Sequence, residues 1–287
     1  MPYFKFASWN VRGFRDRVKQ GTVVSFAKAQ GLDLLFVQET NFRSPLDVAQ
    51  FRRDCQVEGF FSLTNARSCG VGVVFVSGRF RQKSHCVFGA NGRTLLLDIF
   101  TDGRKFRFAN VYAPVTRSET NAFFREFHDC LLEPLPHVVL GDFNCVVDTT
   151  REVRGPGRGG SSYHAKELVK ILRHLRLTDV LVHLHDDVFV PTRTSRTTAS
   201  RIDRAYIPDL LVPSVESCEV LALPDALARM SDHAPLVTTV RWKPGPRPSD
   251  ATWRLDPAIL KDATCISRIK SLLKETITAT PSVTPAA

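Results

Sequence analysis

Nine apolar runs, each the length of a β-strand, recur along this chain and constrain its fold more than any other feature. They span residues 3–9, 32–38, 71–76, 93–100, 105–112, 137–143, 201–207, 215–223 and 235–242. Some alternate apolar with polar residues, as half-buried strands do, and others are continuously apolar, as central strands are. Helical patterns at 17–30, 118–132 and 162–177 lie between them, the second with Ser118 as a candidate N-cap. The mixture predicts an α/β fold of two packed β-sheets with helices outside.

The apolar pattern ends near Trp242. With 287 residues and 43% apolar content, the chain can bury a substantial core. After Trp242 a Pro-rich linker leads to residues 253–275, which have helical spacing, and the last dozen residues are mostly Thr, Pro, Ala and Ser. We therefore expect one domain over residues 1–242, and a linker, a helical segment and a disordered tail over 243–287.

The charge of the chain favours a polyanionic partner. Lys and Arg outnumber Asp and Glu by 39 to 29, which gives a net charge of +10. Most of the basic residues are Arg, whose forked guanidinium binds two phosphate oxygens at once. Two loops, 150–162 and 191–201, are rich in Arg with Gly, Ser or Thr. They fit either solvated connectors or loops that grip a phosphate backbone, and the sequence leaves both readings open.

Cysteine usage and apolar run lengths indicate an intracellular protein. The seven cysteines are odd in number, widely spaced and without a CxxC pair, which argues against a disulfide framework or a structural zinc site. The N-terminal stretch lacks an apolar segment long enough for a signal peptide, and no run approaches the length of a membrane span. We expect a soluble protein with no membrane partner.

Polar residues stand where several predicted strands begin or end. They are Asn10, Glu39, Tyr112, Asp142 with Asn144, Asp203, and Asp232 with His233. Each alone fits a cap, an Asx-turn or a surface acid. Carboxylates and amides are unfavourable in strands and in buried places unless they are paired or bound to something. Six strand ends, each with an oxygen ligand or a group that can handle a proton, therefore predict a shared site.

The residue types in this set limit its chemistry. Carboxylate and amide oxygens favour Mg²⁺, or Mn²⁺, over zinc. The chain has no G-x-x-x-x-G-K-[ST], H-E-x-x-H or G-x-S-x-G motif, and we expect no nucleotide cofactor. A metal, an acid–base pair and groups that attract phosphate together predict phosphoester hydrolysis.

Six motifs, in this order and spacing, resemble the endonuclease/exonuclease/phosphatase superfamily. They are "SWNVRG" (8–13), "LLFVQET" (34–40), "NVYAP" (110–114), "LGDFN" (140–144), "SRIDRAYI" (200–207) and "SDHAPL" (231–236). The resemblance runs from residue 4 to about 241 and implies a four-layered α/β-sandwich. "SRID" and the segment 253–275 are most similar to the endonuclease domain of non-LTR (LINE-type) retrotransposons and the segment that follows it. That setting implies a reverse transcriptase domain as a partner, which this chain does not contain.

The resemblance also implies roles for individual residues. Glu39 would hold the magnesium with Asn10, and Asp232 would support the metal or His233. Catalysis would involve Tyr112 and Asn144 at the phosphate, Asp142 at the attacking water, and Asp203 paired with His233. The residues predicted to contact DNA, directly or from behind the site, are Arg12, Thr192, Arg193, Arg196, Arg201 and Ser231. Relatives often have Asp or Asn at position 12 and an aromatic residue beside Thr192, whereas this chain has Arg12, Pro191 and Arg193.

The resemblance implies a metal-dependent endonuclease that nicks one strand of double-stranded DNA and leaves a 3′-hydroxyl, which would prime reverse transcription. A chromosomal substrate would place it in the nucleus. Three alternatives remain open: a repair enzyme of the exonuclease III or apurinic/apyrimidinic type, a phosphoinositide phosphatase, and a catalytically decayed domain that only binds DNA. The intact motif residues argue against decay.

Overall fold

Two six-stranded sheets form the centre of the fold in the computed structural model, which describes residues 3–65, 69–101, 104–156, 165–186, 188–241 and 263–279. The first sheet has the order β14-β15-β1-β2-β4-β3. Its strands are β1 (Tyr3–Asn10), β2 (Leu34–Gln38), β3 (Glu58–Phe61), β4 (Val71–Phe75), β14 (Val215–Val220) and β15 (Leu236–Arg241). The second sheet has the order β10-β13-β8-β7-β6-β5. Its strands are β5 (Ser84–Phe88), β6 (Thr94–Thr101), β7 (Arg104–Tyr112), β8 (His137–Asp142), β10 (Leu177–Asp179) and β13 (Asp203–Pro208).

A small third sheet and the helices complete the described chain. The small sheet has the order β11-β12-β9 and consists of β9 (Val153–Arg154), β11 (Arg193–Thr194) and β12 (Ala199–Ser200). The helices are α1 (Arg17–Ala29), α2 (Pro45–Cys55), α3 (Arg117–Asp129), α4 (Thr149–Glu152), α5 (Ala165–His174), α6 (Val180–His185), α7 (Asp225–Ala228) and α8 (Ala263–Ala279). Short 3₁₀ turns lie at Arg81–Lys83, Ala90–Gly92 and Asp209–Ser214.

Three apolar clusters arrange these elements in four layers. Aromatic rings fill the space between the two sheets, where the ring of Phe108 lies 5.2 Å from Phe6 and 5.3 Å from Phe36. The outer face of the first sheet packs against α1 and α2, and the outer face of the second against α3 and α5. Because each element buries one apolar face, the stacking is helix, sheet, sheet, helix. The predicted four-layered α/β-sandwich is confirmed.

Each large sheet contains one parallel pair at its centre. Strand β1 runs parallel to β2, with Asn10 opposite Gln38, and β7 runs parallel to β8, with Tyr112 opposite Asp142. The antiparallel neighbour β13 begins at this same edge, since Asp203 pairs with Asp142. Likewise β15 begins beside the end of β1. The carboxyl ends of four strands and the beginnings of two therefore meet at one edge of the sandwich.

The helix boundaries show which local signals are reliable. Helix α1 begins where its pattern predicts, after Asp16, whose side chain accepts a hydrogen bond from the Lys19 backbone N–H. The predicted N-cap Ser118 is wrong, because α3 begins at Arg117 with Thr116 as its N-cap. Helix α2 has a weak apolar period, yet Ser44 and Asp47 form a reciprocal capping box that the sequence reading overlooked.

The chain consists of two compact units. Internal contacts divide it into Met1–Gly245 and Pro246–Ala287. In the second unit α8 covers residues 263–275 of the predicted helical segment and continues through 276–279, the first four residues of the tail predicted to be disordered. Residues 253–262 and 280–287 lie outside the described ranges. Among the described helices, none combines the length and apolarity needed to cross a bilayer.

Candidate active site

The side chain of Asn10 joins the two sheets at the edge where their strand ends meet. Its Nδ2 donates to Glu39 Oε1 of the first sheet and to Asp142 Oδ2 of the second, at 2.9 Å each. Asn10 and Asp142 are buried, whereas Glu39 is half-buried. One amide therefore brings together two carboxylates that lie far apart in sequence.

The orientation of the Asn10 amide bears on its predicted role as a metal ligand. Its Oδ1 accepts a hydrogen bond from the Arg12 backbone N–H at 2.9 Å, so the amide nitrogen, and not the oxygen, faces the carboxylates. Asn10 thus holds the carboxylates of Glu39 and Asp142 through its amide nitrogen, and its predicted role as a metal ligand stays a prediction. The backbone around it is left-handed at Arg12, Glu39 and Asn144, with φ of 48°, 55° and 46°. Non-glycine residues adopt this conformation at a cost, which is typical of functional sites.

A buried triad lies on the other side of Asp142. His233 Nδ1 lies 3.0 and 2.8 Å from the two carboxylate oxygens of Asp203. His233 Nε2 lies 3.9 Å from Asp142 Oδ2. The three residues are between 0% and 5% exposed. The geometry fixes one imidazole nitrogen on Asp203 and turns the other toward Asp142.

Backbone contacts hold the segment that carries His233. Trp9 Nε1 donates to the His233 carbonyl at 2.8 Å. The hydroxyl of Ser231 donates to the Asn10 carbonyl at 2.7 Å and accepts from the His233 backbone N–H at 3.1 Å. Ser231 was predicted to lie near DNA, but it is buried and acts as a spacer between the end of β1 and His233.

Electrostatics set the protonation of this triad. Burial alone would lower the pKa of His233, but the charge of Asp203 and its hydrogen bond raise the pKa to about 9. Burial, together with the neighbouring charge of Asp203, raises the pKa of Asp142. The imidazole is therefore a cation at neutral pH, and Asp142 takes up a proton more readily than an exposed carboxylate does.

Tyr112 and Asn144 border the two carboxylates. Burial, the charges of Glu39 and Asp142, and a hydrogen bond with Glu39 raise the pKa of Tyr112. Asn144 donates its backbone N–H to Asp142 Oδ1 at 2.9 Å and its Nδ2 to the Ala113 carbonyl at 2.8 Å. The phenol is thus neutral at physiological pH, and the amide is fixed against the end of the second sheet.

Asp232 has partners other than a metal. Its Oδ2 lies 2.9 Å from Arg193 Nε, and its Oδ1 lies 3.4 Å from Arg12 Nη1. Because guanidinium groups engage both oxygens, Asp232 holds Arg193 and Arg12 in this structure. Its predicted support of the metal or of His233 stays a prediction. The two arginines are 44% and 64% exposed in their side chains, which leaves most of their donors open to solvent. Arg196 is exposed on the same hairpin, as its predicted DNA contact requires.

Two residues predicted to contact DNA are instead buried. Thr192 is 1% exposed, and its hydroxyl accepts the backbone N–H groups of Ile202 and Asp203 at 3.1 and 3.0 Å. Arg201 is 7% exposed and pairs with Glu152 and Asp179. The polar groups of both side chains are taken up by partners within the protein. Both hold the start of β13, and thereby Asp203.

Sequence reasoning missed four residues that support the site. Gln38 Nε2 donates to Asn110 Oδ1 at 2.7 Å across the two sheets, directly beneath the carboxylates. Trp9 holds His233, and the guanidinium of Arg93 lies 5.1 Å from the centre of the Tyr112 ring. Gln38 and Asn110 carried a usable signal, since each is an amide in the last three residues of an apolar run.

The donor set fits a hard divalent cation. Asn10 joins the carboxylates of Asp142 and Glu39, and Asp142, Asp203 and His233 lie with polar atoms within 4.8 Å of one another. His233, as an imidazolium held by Asp203, offers no lone pair to a metal, so the carboxylates are the candidate ligands. Carboxylate oxygens predominate here, and hard divalent cations prefer such ligands. Glu39 is the half-buried member, so it is the carboxylate most open to an arriving ion.

Comparison with known sequences places this geometry among related proteins. Residues 7–233 match the Endonuclease/Exonuclease/phosphatase family. The chain is 28% identical over 262 residues to the "Transposon TX1 uncharacterized 149 kDa protein" of Xenopus laevis, a match that covers 88% of this chain and 19% of the relative. The chain thus spans about a fifth of that relative's length.

Solved structures share the fold. The AP endonuclease LMAP from Leishmania major has a TM-score of 0.71 at 17% identity, over 84% of this chain and 88% of that one. An AP endonuclease from Archaeoglobus fulgidus has a TM-score of 0.68 at 20% identity, over 82% and 98%. The 3′ phosphatase NExo from Neisseria, bound to a product DNA hairpin, has a TM-score of 0.68 at 20% identity, over 83% and 100%.

Proposed function

Because this chain belongs to the endonuclease/exonuclease/phosphatase family, we propose that it is a magnesium-dependent endonuclease that nicks one strand of DNA and leaves a 3′-hydroxyl. The observation that carries the proposal is the contact chain from Glu39 through Asn10 to Asp142, with His233 and Asp203 behind it. It combines oxygen ligands for a cation with a carboxylate and an imidazolium at one point. Metal-assisted phosphodiester hydrolysis uses groups of these kinds.

The protein groups divide the reaction between them. Asp142 accepts the proton of the attacking water, since its raised pKa makes it a better base than an exposed carboxylate. Asp203 holds the Nδ1 proton of His233, so that Nε2 donates a charged hydrogen bond to a phosphoryl oxygen. Water bonds to phosphorus as the bond to O3′ breaks; one water proton goes to Asp142, and O3′ takes a proton from solvent, which leaves a 3′-hydroxyl and a 5′-phosphate. A bound magnesium ion supplies further neutralisation of the phosphoryl charge, and Glu39 would hold it.

Tyr112 and Asn144 position the scissile phosphate in this proposal. Tyr112 stays neutral because its pKa is raised, so its hydroxyl can donate a hydrogen bond without adding negative charge. Asn144 is fixed by Asp142 and Ala113 and can meet the same phosphate. Pre-set donors of this kind require no rearrangement when the phosphorus becomes five-coordinate.

The proposed setting is the nucleus, in a non-LTR retrotransposon. The similarity to a transposon protein of Xenopus laevis, together with the "SRID" motif, supports it. The 3′-hydroxyl would then prime DNA synthesis by a reverse transcriptase domain that is not part of this sequence. Arg12, Arg193 and Arg196 would grip the double-stranded DNA backbone, since arginine pairs well with phosphate.

Nicking of supercoiled plasmid tests the proposal. Purified protein with Mg²⁺ should convert plasmid to the open-circular form, and EDTA should stop the conversion. The nicked strand should be extended directly by a DNA polymerase, which requires a 3′-hydroxyl. Absence of nicking with either Mg²⁺ or Mn²⁺ would refute the proposal.

The same assay separates nicking of intact DNA from repair. A duplex with a single abasic site and its intact counterpart should be cut at comparable rates. Cleavage of the abasic duplex at least 100-fold faster, a difference of about 2.7 kcal/mol, would identify a repair endonuclease instead.

A further inference from the structure

A cluster of four charged side chains, three of them buried and Asp179 half-buried, lies beside Asp203. Arg201 and Arg204 are 7% and 1% exposed, and Glu152 is 4% exposed. Arg204 donates to Glu152 Oε1 and Oε2 at 2.9 and 2.6 Å, and Arg201 donates to Glu152 Oε1 as well. Asp179 accepts from both arginines at 2.6 and 3.2 Å. Both cations thus share the same two carboxylates, and Glu152 takes the larger number of bonds.

Glu152 also closes the loop that follows Asp142. Its Oε2 accepts the backbone N–H groups of Val147 and Asp148 at 2.6 and 3.2 Å. Its main-chain carbonyl accepts the Arg201 backbone N–H at 2.9 Å. One residue therefore binds the loop that leads from Asn144 and, through the arginines, the chain on both sides of Asp203.

We propose that Glu152 is a positioning residue for hydrolysis: through Arg201 and Arg204 it fixes the start of β13, and hence Asp203, relative to the loop that carries Asn144. The proposal rests on the proposed function, because it assigns Glu152 to that same site. Glu152 touches neither the phosphate nor the water. It acts through the position of Asp203, which in turn holds His233.

Only a carboxylate can fill this role. Two oxygens accept from two guanidinium groups and two backbone N–H groups, and the negative charge balances two cations that are almost fully buried. Glutamine has the same shape, but it has one acceptor oxygen and adds two donors. A Glu152→Gln protein would thus leave buried guanidinium donors without acceptors, and the start of β13 would shift to find new partners.

The matched control is a second buried ion pair on the same sheet. Arg107 donates to both oxygens of Asp98 at 2.7 and 2.9 Å, and both residues are buried. Arg107 lies opposite His137, at the far end of β8 from Asp142. Asp98→Asn removes the same charge at a similar depth. Its ion pair lies about five strand residues, or about 17 Å, from Asp142.

The experiment has an arm that does not depend on activity. The proton on His233 Nδ1 should give a low-field NMR signal, assigned by its loss in Asp203→Asn. In Glu152→Gln this signal should move or broaden beyond detection, whereas in Asp98→Asn it should stay in place. An unmoved signal in folded Glu152→Gln would overturn the inference, even if the protein has no nuclease activity at all.

Kinetics form the second arm. Glu152→Gln should lower kcat of nicking at least 10-fold with KM changed less than 2-fold, and Asp98→Asn should leave kcat within 2-fold. In the Asp203→Asn background Glu152→Gln should cost less than a further 2-fold, since both act through one contact. Multiplicative losses, or equal losses in the control, would contradict the inference. If Glu152→Gln fails to fold, Asp179→Asn removes fewer bonds and should have the same effects at smaller size.

Discussion

The amide of Asn10 shows how single residues organise this site. It donates to Glu39 and Asp142 while its oxygen is held by Arg12. The two hydrogen bonds from the Asn10 amide offset the repulsion between the two carboxylates. That repulsion is strong where little water is present to screen it. At this scale, the proposed chemistry depends on the protonation of Asp142 and His233.

Removal of either partner should abolish hydrolysis and spare binding. Asp142→Ala and His233→Ala should each reduce plasmid nicking by about 10²- to 10⁴-fold, the usual contribution of a positioned acid or base. Affinity for a DNA duplex in EDTA should change little. Asp129→Ala, which removes an exposed carboxylate at the end of α3, serves as the control and should nick normally. If both site variants retain activity, the assigned roles fail.

The pH dependence of activity tests the pairing of Asp203 with His233. The pKa of His233 is raised to about 9, so the cation persists through neutral pH and is lost as pH rises through that value. Its contribution to stability is correspondingly complete below the unfolded pKa of about 6.5 and disappears as pH rises through about 9. Asp203→Asn removes the negative charge that does most to raise the His233 pKa. The pKa-lowering effect of burial should then dominate, and the imidazole should lose its proton at lower pH.

The expected result is a shift of the alkaline limb of the nicking profile to lower pH in Asp203→Asn, with a matching shift in the His233 imidazole titration followed by NMR. An alkaline limb at the same pH in both proteins would show that another group controls it.

At the scale of elements, the site depends on how β13 and the hairpin β11–β12 are fastened. Thr192 receives the backbone N–H groups of Ile202 and Asp203, and its carbonyl accepts the Ala234 N–H at 2.8 Å. It thereby links the hairpin, the strand that begins at Asp203 and the segment of His233. A residue predicted to touch DNA is thus a joint between elements.

Thr192→Val should weaken that joint. Valine keeps the shape but leaves two buried N–H groups without an acceptor, which costs about 1–3 kcal/mol. The free energy of unfolding, measured in urea, should fall by this amount, and nicking should fall with it. Thr197→Val, on the exposed part of the same hairpin, should leave both unchanged. Equal stability of the two variants would contradict this role for Thr192.

At the scale of the whole molecule, the net charge of +10 dominates. Binding to DNA should weaken linearly in log–log form with salt, because each phosphate contact releases counterions. Arg12→Gln and Arg193→Gln should each reduce the slope by about 1. Fluorescence anisotropy of a labelled duplex in EDTA, at several salt concentrations, measures this.

The control for the salt series is Arg81→Gln. Arg81 is 60% exposed and pairs with Glu58 at the start of β3, opposite the site edge. Arg81→Gln removes one surface charge that has no predicted DNA contact. The salt slope of this variant should therefore match that of the unaltered protein. A slope reduced equally by all three variants would mean that only net charge matters.

The sequence pattern predicted the packing of two sheets, most residues at the site edge, nine of the strands and helices α1, α3 and α5. It missed β3, β5, β10 and helix α2, whose patterns are short or weak. Apolar period and strand-end polarity are local properties, so "LGDFN" and "SDHAPL" report them directly. The overall charge likewise follows from composition alone and needs no fold.

The partners and the burial of each polar side chain could be seen only in the folded structure. Arg193 and Arg201 lie in one Arg-rich loop, yet Arg193 is exposed beside Asp232 and Arg201 is buried on Glu152. Asn10 and Asp142, 132 positions apart, meet through one hydrogen bond. The physical reason is that burial and partner choice arise where elements from distant positions pack together, and a local pattern contains no record of that contact.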